Sequence, residues 1–430
     1  MMTILTAQAV LEGIRETTAY GGAPMFWDQA MAEMPAGPLP FLEPADVPAR
    51  RAAAGLPAER DVLLTGIAAV IDADPALRSL AWYLHWRVFV APQHGAPWGA
   101  PSLLPRLGEQ AGLFYLLLSL EFVPRLTIWH RHLGYPGTVT RQTLQQIASF
   151  EGNHLRGRGR PGIYESQFVW LATYLVDPYV RLGRFEYQLH TYGGGVSVWK
   201  RAADGQVLAL AEEGTRVAAD GLRLGDQAPA TEGWTAWLKE TPSALSGFPV
   251  DPVGRILDKP VHLDRSVWMP CFSKGATVLD LHIPAGGSMD WEAMTDSFRQ
   301  ALAFFQQHHA DRPFAALVVN TWFMDPRLAD ILPAESNPLR FQRAVYLYPV
   351  PPQPDSLWFV FLGNTREPAA LRRDTSLQRR LATFLENGGT WHGGGMFVLP
   401  GDMHHLCDGH YRNRFNALID SGNLRPITVS

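Results

Sequence analysis

A short apolar strand, a double-glycine turn and an amphipathic helix follow one another between residues 276 and 305. Gly286 and Gly287 permit backbone angles that other residues resist, so the chain can turn sharply after the strand. Asp290 is a good helix N-cap, and apolar residues then recur at helical spacing as far as Phe305. The pattern predicts free backbone N–H groups at a helix start just past a strand end, an anion site suited to a coenzyme pyrophosphate. Connections of this kind also occur with a purely structural role.

The composition is that of an ordinary soluble globular protein with ample core. The chain has 430 residues, of which 47% are hydrophobic and 18% are charged, and this length favours about two or three domains. A net charge of −4 gives no basic footprint for nucleic acid. The only cysteines are Cys271 and Cys407, which excludes a framework of several disulfides and favours a reducing cytoplasm.

No membrane partner is expected from the sequence. The first residues include acidic side chains and lack the basic and apolar regions of a signal peptide. The most apolar run, 111–123, is interrupted by Glu121 and is too short to cross a bilayer. It predicts a buried helix instead.

The chain changes character near residue 180. Helical periodicity dominates residues 1–180, whereas short β-type runs separated by turn residues follow from Arg184 onward. Over residues 181–400 the predicted order is several antiparallel strands, then strand–helix–strand–helix, then a final hairpin. A loop-rich stretch is predicted from Gly389 to Ser430, and residues 401–430 form the C-terminal tail. This order predicts an α+β fold, with a helical N-terminal domain followed by a mixed β-sheet domain with flanking helices.

Three predictions in the second half concern local structure. The runs Phe185–His190, Val196–Arg201 and Val207–Ala211 are predicted to form an antiparallel meander. Residues 218–270 are predicted to be irregular, with a short helix at Trp234 and Trp237. The runs Phe341–Val350 and Ser356–Leu362 are predicted to form a pair of strands.

This order of elements resembles the GNAT acyltransferase fold. The individual segments resemble bacterial acyltransferase-domain proteins that have a helical N-acyltransferase N-terminal domain and a GNAT-like C-terminal domain. The resemblance covers about residues 60–400 and depends on Arg181–Tyr187, His282–Gly287, Trp322 with Asp325-Pro326, Ser336–Phe341, Thr375–Arg379, and Gly388–Trp391 with Gly393.

The resemblance implies an acyltransferase that moves an acyl group from acyl-CoA to an amine or hydroxyl of a small molecule. The glycine turn then corresponds to the loop that wraps the coenzyme pyrophosphate. The usual loop reads Gln/Arg-x-x-Gly-x-Gly/Ala, whereas this chain has Ile283-Pro-Ala-Gly-Gly-Ser288. A non-catalytic binding protein that kept the GNAT shape is the alternative that this difference favours.

The coenzyme contacts predicted on this basis cluster around the turn. Backbone N–H groups of the strand ending at His282 and Ile283 would line the pantetheine arm and polarise the thioester carbonyl. The turn itself would hold the pyrophosphate. The full predicted set is His282, Ile283, Ala285, Gly286, Gly287, Ser288 and Asn320.

Three residues are predicted to serve in catalysis. His282 is the leading general base, because the unperturbed pKa of histidine lies near neutrality, although a structural histidine that fixes the turn is the competing interpretation. Glu186 would orient the acceptor or act as a base through water if it faces the cleft, and would be a solvated edge charge if it does not. Ser336 lies where the fold usually supplies a group near the thiolate.

The tail carries His404, His405, Cys407 and His410, which are residue types that can bind zinc. Asp408-Gly409 favours a turn here, and no second Cys/His pair follows to complete a four-ligand set. A metal-dependent hydrolase using these residues is therefore a third interpretation, behind the acyltransferase and the binding protein, and no metal ligand is assigned.

Overall fold

The computed structural model describes residues 5–17, 24–92, 100–363, 365 and 367–420. The chain divides into two compact units. The first comprises Met1–Gln188 with Ile283–Gly287, and the second comprises Leu189–His282 with Ser288–Ser430. The predicted α+β class is confirmed, because a helical N-terminal region precedes a mixed sheet flanked by helices.

Helices make up most of the first unit. The described helices are α1 (Ala7–Gly13), α2 (Trp27–Ala32), α3 (Val47–Ala53), α4 (Arg60–Ala73), α5 (Pro75–His85, continued by a π-helical turn over Trp86–Val90), α6 (Leu104–Leu107), α7 (Ala111–Ser119), α8 (Phe122–His132), α9 (Gly137–Leu144), α10 (Gln146–Arg158), α11 (Glu165–Trp170) and α12 (Thr173–Val176). They pack their apolar faces into one continuous hydrophobic core.

The predicted buried helix is α7, in which every residue from Ala111 to Ser119 is buried. It belongs to Leu104–His132, the described stretch that is long and apolar enough to cross a membrane by length and composition, and 72% of the apolar window of this stretch is buried inside the protein. The core helix of a soluble domain has the same composition.

A hairpin follows the helices of the first unit. Strands β1 (Tyr179–Leu182) and β2 (Phe185–Thr191) pair antiparallel, with Leu182 opposite Phe185. The chain passes from the first unit to the second within β2, between Gln188 and Leu189.

Strands predominate in the second unit. They are β3 (Val196–Arg201), β4 (Val207–Ala211), β5 (Arg216–Val217), β6 (Trp234–Thr235), β7 (Leu238–Glu240), β8 (Ala244–Gly247), β9 (Pro249–Asp251), β10 (Arg255–Ile256), β11 (Val261–Asp264), β12 (Trp268–Phe272), β13 (Thr277–His282), β14 (Leu317–Thr321), β15 (Tyr346–Tyr348) and β16 (Gly394–Val398). The helices are α13 (Trp291–His308), α14 (Leu328–Ile331), α15 (Asn337–Ala344), α16 (Trp358–Phe361), α17 (Ser376–Glu386) and α18 (His410–Asp420).

The main sheet of this unit has the strand order β2-β13-β14-β16-β15. A second sheet has the order β10-β9-β4-β3-β12, and two smaller sheets contain β11-β8-β7 and β5-β6. One face of the main sheet packs its apolar residues into a shared core with the second sheet, through residues such as Val278, Val318, Phe397 and Val198.

Helix α13 follows the predicted pattern. The Asp290 carboxylate caps it by accepting the Ala293 N–H at 2.8 Å. Its buried side is the predicted apolar stripe, represented by Met294, Phe298 and Leu302. Helix α17 is likewise fixed at its start by a capping box between Thr375 and Gln378.

Several local predictions are wrong. Strand β2 belongs to a different sheet from β3 and β4, so the three runs form no single meander. Residues 218–270 contain short strands, and Trp234 lies in β6, because turn residues there separate hairpin arms of two to four residues. The run Ser356–Leu362 is helical, since Pro354 starts a 3-10 turn that continues into α16.

The tail is also more ordered than predicted. Strand β16 lies between β14 and β15, and helix α18 follows it. Strand β16 is difficult to predict from the sequence because it contains glycines, and glycine has little strand propensity. They are needed there, since a Cβ on Gly394 would come within 2.0 Å of the Met324 carbonyl oxygen. The predicted turn at Asp408-Gly409 is present immediately before α18.

Candidate functional site

The parallel strands β13 and β14 separate before they end. Their ladder stops at the pair Asp280–Val318, whereas β13 runs on to His282 and β14 to Thr321. On its other side β14 remains paired with β16 as far as Thr321. Among the described residues, the ladder thus leaves out the Leu281 carbonyl, on the edge of β13 that faces β14. Such an edge offers peptide groups to an extended ligand.

The turn after β13 lies against a cation. Gly286 and Gly287 adopt φ values of 78° and 75°, which glycine tolerates without strain. Arg184, from the turn between β1 and β2, donates its Nη1–H to the Pro284 carbonyl oxygen at 3.0 Å. A Cβ built on Gly287 would lie 3.6 Å from Arg184 Nε. The guanidinium and two exposed glycines therefore form one surface, suited to a phosphate group.

The start of α13 is less electropositive than the sequence predicts. Asp290 already occupies the N-cap, and Glu292 lies in the first turn. The Ser288 hydroxyl accepts the Asp290 N–H at 3.1 Å. These two carboxylates offset the positive end of the helix dipole. The positive charge at the turn comes from Arg184, and the helix N-terminus is a minor contributor.

A row of polar groups crosses three strands of the main sheet. Asn320 on β14, Gly395 on β16 and Tyr348 on β15 lie side by side in register. The Tyr348 hydroxyl donates to Asn320 Oδ1 at 2.8 Å. Gly395 makes this contact possible, because a Cβ there would approach the Tyr348 ring to 2.2 Å. The hydroxyl of a buried tyrosine is thereby directed to an exposed amide.

Asp280 lies on the same face of β13 as His282, two residues farther on. Its side chain is partly buried and forms no ion pair with any described residue. Burial raises the pKa of Asp280 to about 6, against the lowering effects of His190, His282 and the Leu281 N–H. A carboxylate with a pKa near the working pH is well suited to accept a proton as a general base.

Two buried tyrosine hydroxyls, those of Tyr192 and Tyr348, also belong to the candidate site. Burial raises the pKa of Tyr192 to about 12 and that of Tyr348 well above its usual value. The Tyr192 hydroxyl accepts the Val196 N–H at 3.3 Å and is hydrogen bonded to Tyr348. Both tyrosines therefore stay protonated at neutral pH, and they are neutral donors in a partly dry environment.

The predicted coenzyme residues occupy the features just described. His282 ends β13 and is half-buried, and Asn320 is exposed at the end of β14. Residues Ile283 and Ala285 are half-buried in the turn, and Ser288 is exposed. The structure thus brings these residues to the carboxyl ends of two neighbouring strands and to the turn after the first of them.

The other two predicted catalytic residues lie elsewhere. Glu186 is completely buried in the first unit, where the Tyr174 hydroxyl donates to it at 2.7 Å and Arg181 Nε lies 4.0 Å from its other oxygen. It is therefore neither a solvated edge charge nor open to a substrate. Ser336 is at the N-cap of α15, and its Oγ is buried without a hydrogen-bond partner in the described chain.

Sequence reasoning missed Arg184, Asp280 and Tyr348. Asp280 interrupts an otherwise apolar strand, and this was an available signal, because charged residues in buried strands need an explanation. Arg184 and Tyr348 gave no comparable signal. Each reaches the site through contacts far along the chain, with Pro284 and with Asn320.

The tail histidines do not form a cluster around one point. Over the described ranges, no three His, Cys, Asp or Glu side chains are grouped so that they could hold a metal ion. His410 lies 3.7 Å from Asp402, which also accepts the Tyr411 hydroxyl at 2.8 Å. These contacts fix α18 to the preceding turn.

Two family descriptions match the chain in the predicted order. Residues 45–175 match the N-acyltransferase N-terminal domain, and residues 179–397 match the GNAT-like C-terminal domain. The chain belongs to this family of acyltransferases. No curated protein has a matching sequence.

Solved structures share the fold at low sequence identity. One is an acyltransferase in complex with CoA and 10C-teicoplanin, with 21% identity and a TM-score of 0.63 over 92% of this chain and 99% of that one. Another is an acyltransferase in complex with decanoyl-CoA, with 20% identity and a TM-score of 0.58 over the same shares. At this identity the likeness defines the fold alone.

Proposed function

We propose that this protein transfers an acyl group from acyl-CoA to an amine or hydroxyl of a small molecule. The observation that carries the proposal is the opening between β13 and β14 at Asp280–Val318, followed by a glycine turn with Arg184 beside it. An extended edge next to a phosphate-binding turn fits the pantetheine arm and pyrophosphate of CoA. The solved neighbours were crystallised with CoA or acyl-CoA, which supports this donor class.

In this assignment the turn residues contact phosphate through their backbone and Arg184 supplies the charge. Gly286 and Gly287 have no side chains to block the approach, and a Cβ on Gly286 would meet no atom within 4 Å. Ile283, Ala285 and Ser288 belong to the same segment. The Leu281 carbonyl, on the edge that β14 leaves, would bind a pantetheine amide, and Asn320 lies on β14 beyond the last paired residue.

The bound acyl-CoA supplies an activated carbonyl carbon, which forms a bond to the acceptor nitrogen or oxygen while its bond to sulfur breaks. The protein must take up the proton that the acceptor loses. We assign this role to Asp280, because its carboxylate has no ion-pair partner among the described residues and its pKa of about 6 leaves it ionised at neutral pH. His190 and His282 stabilise that charge. Tyr348 and Asn320 would hydrogen bond near the reacting groups.

Glu186 and Ser336 are not part of this mechanism. Glu186 acts structurally, as an internal acceptor for Tyr174. His282 keeps a role beside Asp280 and is the second choice for the base. Cys271 and Cys407 are both free, which supports the cytoplasm as the location of the reaction.

The alternative is a binding protein with the GNAT shape and no transferase activity. The departure of Ile283–Ser288 from the usual loop favours it. The experiment that separates the two is a thiol-release assay with acetyl-, octanoyl- and decanoyl-CoA against a panel of amines and alcohols. The proposal expects release that depends on the acceptor and is lost in Asp280→Asn. Binding of acyl-CoA without release for any acceptor would favour the alternative.

A further inference from the structure

A separate cavity of about 300 Å³ lies entirely within the first unit. Its apolar wall includes Leu104, Ala111 and Ile163, together with the rings of Tyr115 and Tyr164. The volume is about twice the roughly 150 Å³ of a cavity that holds benzene. There is room for one aromatic or branched side chain with a polar group attached.

Gly112 lines the cavity and packs closely against Gly162. The Ile163 N–H donates to the Gly112 carbonyl oxygen at 3.0 Å, and a Cβ on Gly162 would come within 2.7 Å of Gly112 Cα. A Cβ on Gly112 would in turn lie 2.4 Å from His154 Nε2. Any side chain at Gly112 would fill the space that the imidazole and the cavity now occupy.

His154 presents an acceptor to this space. Its Nδ1 lies 2.8 Å from the Arg160 carbonyl oxygen, so Nδ1 carries the proton and Nε2 keeps its lone pair. Burial lowers the pKa of His154, and the histidine is neutral at physiological pH. The neutral ring can therefore accept a hydrogen bond from a donor in the cavity.

Four charged side chains line the cavity, and two of them already neutralise each other. Arg160 pairs with Glu109 at 2.5 Å. Arg158 and Glu165 form no ion pair with any described residue, and Arg158 lies only over the Tyr164 ring, at 5.7 Å. Burial raises the pKa of Glu165 and the nearby Glu16 adds to this, against the lowering effects of its own backbone N–H and of the Arg158 charge.

The exposed Arg158 and the half-buried Glu165 therefore attract each other without forming an ion pair, and both line the cavity. We propose that this cavity binds a zwitterionic α-amino acid with an aromatic or branched apolar side chain. Glu165 and His154 Nε2 would accept hydrogen bonds from its ammonium group, Arg158 would bind its carboxylate, and the apolar wall would contact its side chain. A purely anionic ligand would leave the half-buried Glu165 carboxylate without a direct partner. A purely cationic ligand would make no ion pair with Arg158. Nothing in this site depends on the acyl-transfer proposal.

The test is calorimetric titration of the whole protein with L-phenylalanine and L-leucine, alongside 3-phenylpropionate, which lacks the ammonium group, and phenethylamine, which lacks the carboxylate. Each charge-assisted contact is worth about tenfold or more in affinity. At least one of the two amino acids should therefore bind, and in the phenylalanine series both analogues should bind about tenfold more weakly than the amino acid. No saturable binding of either amino acid, or equal binding of phenylalanine and its analogues, would overturn the proposal.

Two variants assign the charges. Glu165→Gln should reduce phenylalanine binding to the level of 3-phenylpropionate and leave 3-phenylpropionate unchanged. Arg158→Met should reduce the affinity for phenylalanine to that for phenethylamine, and should leave the affinity for phenethylamine unchanged. Glu59→Gln, an exposed carboxylate outside the cavity lining, is the matched control. If both variants lost binding of every ligand, the assignment of the charges would be contradicted. An unchanged thermal unfolding transition would show that the fold of each variant is intact.

Discussion

Two aspartates of the second unit, Asp280 and Asp325, have opposite environments. Asp325 is completely buried and accepts five hydrogen bonds, from the Arg327 backbone and guanidinium and from the His392 and Gly393 N–H groups. Asp280 is partly exposed and has no ion-pair partner in the described chain. The hydrogen-bonding capacity of Asp325 is used by the protein, whereas Asp280 hydrogen bonds, among the described residues, with the Leu281 N–H alone and can still accept hydrogen bonds from another molecule.

The difference shows that a distinctive family segment need not be a functional one. Asp325-Pro326 and Gly393 carry the resemblance because they hold two loops together, and Gln342 adds to that junction by donating to the Phe323 and Asp325 carbonyl oxygens. Asp280 lies outside the segments on which the family resemblance depends. Its raised pKa and open environment nevertheless make it the better candidate for chemistry.

The largest expected effect is at the satisfied carboxylate. Asp325→Ala leaves the Arg327 guanidinium and two backbone N–H groups without their acceptor, and we expect a loss of about 3–5 kcal/mol of unfolding free energy. Urea denaturation measures it, with the exposed Asp330→Ala as a control that should change stability by less than about 0.5 kcal/mol. A similar small change in both variants would show that the junction is not a structural one.

The next effect concerns the turn, and here coenzyme binding should change more than stability, although the hydrogen bond from Arg184 to the Pro284 carbonyl is also lost. Arg184→Met removes the cation beside Gly287, and we expect CoA affinity to fall about 10- to 100-fold, the value of one charge-assisted contact. Arg184→Lys should recover part of it, and the exposed Arg299→Met should have no effect. Unchanged CoA affinity in Arg184→Met would remove this residue from the phosphate site.

Asp280→Asn should be stabilising, with a defined pH dependence. The folded pKa of about 6 lies above the ordinary value of 3.8, so ionisation opposes folding progressively as the pH rises from about 4 to 6. Below this window the two proteins should differ little, and above it the variant should gain about 1–2 kcal/mol, after allowance for partial exposure to water. A stability difference that is flat across this window would contradict the environment assigned to Asp280.

The smallest expected effect is at Tyr348. Tyr348→Phe removes the hydrogen bond to Asn320 but keeps the buried ring, so it should cost about 1 kcal/mol of stability. If the hydroxyl is positioned for the reaction, the fall in activity, expressed as a free energy, should exceed this loss of stability. Stability is measured by thermal unfolding and activity by the thiol-release assay, both on the same preparation. A stability loss with full activity would make the contact structural, like that of Asp325.

The sequence predicted the elements whose determinants are local. The Asp290 cap, the apolar stripe of α13 and the positive-φ glycines each depend on a few neighbouring residues, and each is present. Strand β16 was missed because its glycines are required by Tyr348 and Met324, which lie in other elements. The helical run Trp358–Phe361 has strand-like residues and is helical in its tertiary context.

The candidate site was predictable only in part, for the same reason. The turn and the end of β13 follow from the chain itself. The burial of Glu186 against Tyr174 and the approach of Arg184 to Pro284 depend on contacts that the local pattern does not encode. The charge at the turn was therefore attributed to a helix end, although Asp290 and Glu292 oppose it.

The most direct test of the account is calorimetric titration of acetyl-CoA and free CoA into the wild type, Gly287→Trp and Gly388→Trp. Both glycines have positive φ, and Gly388 lies beyond the end of α17 with open space around it, so it controls for backbone strain. The account predicts micromolar binding by the wild type and Gly388→Trp, and none by Gly287→Trp. Binding that survives in Gly287→Trp would place the coenzyme elsewhere, and no binding by the wild type, even of octanoyl- or decanoyl-CoA, would contradict the proposed function.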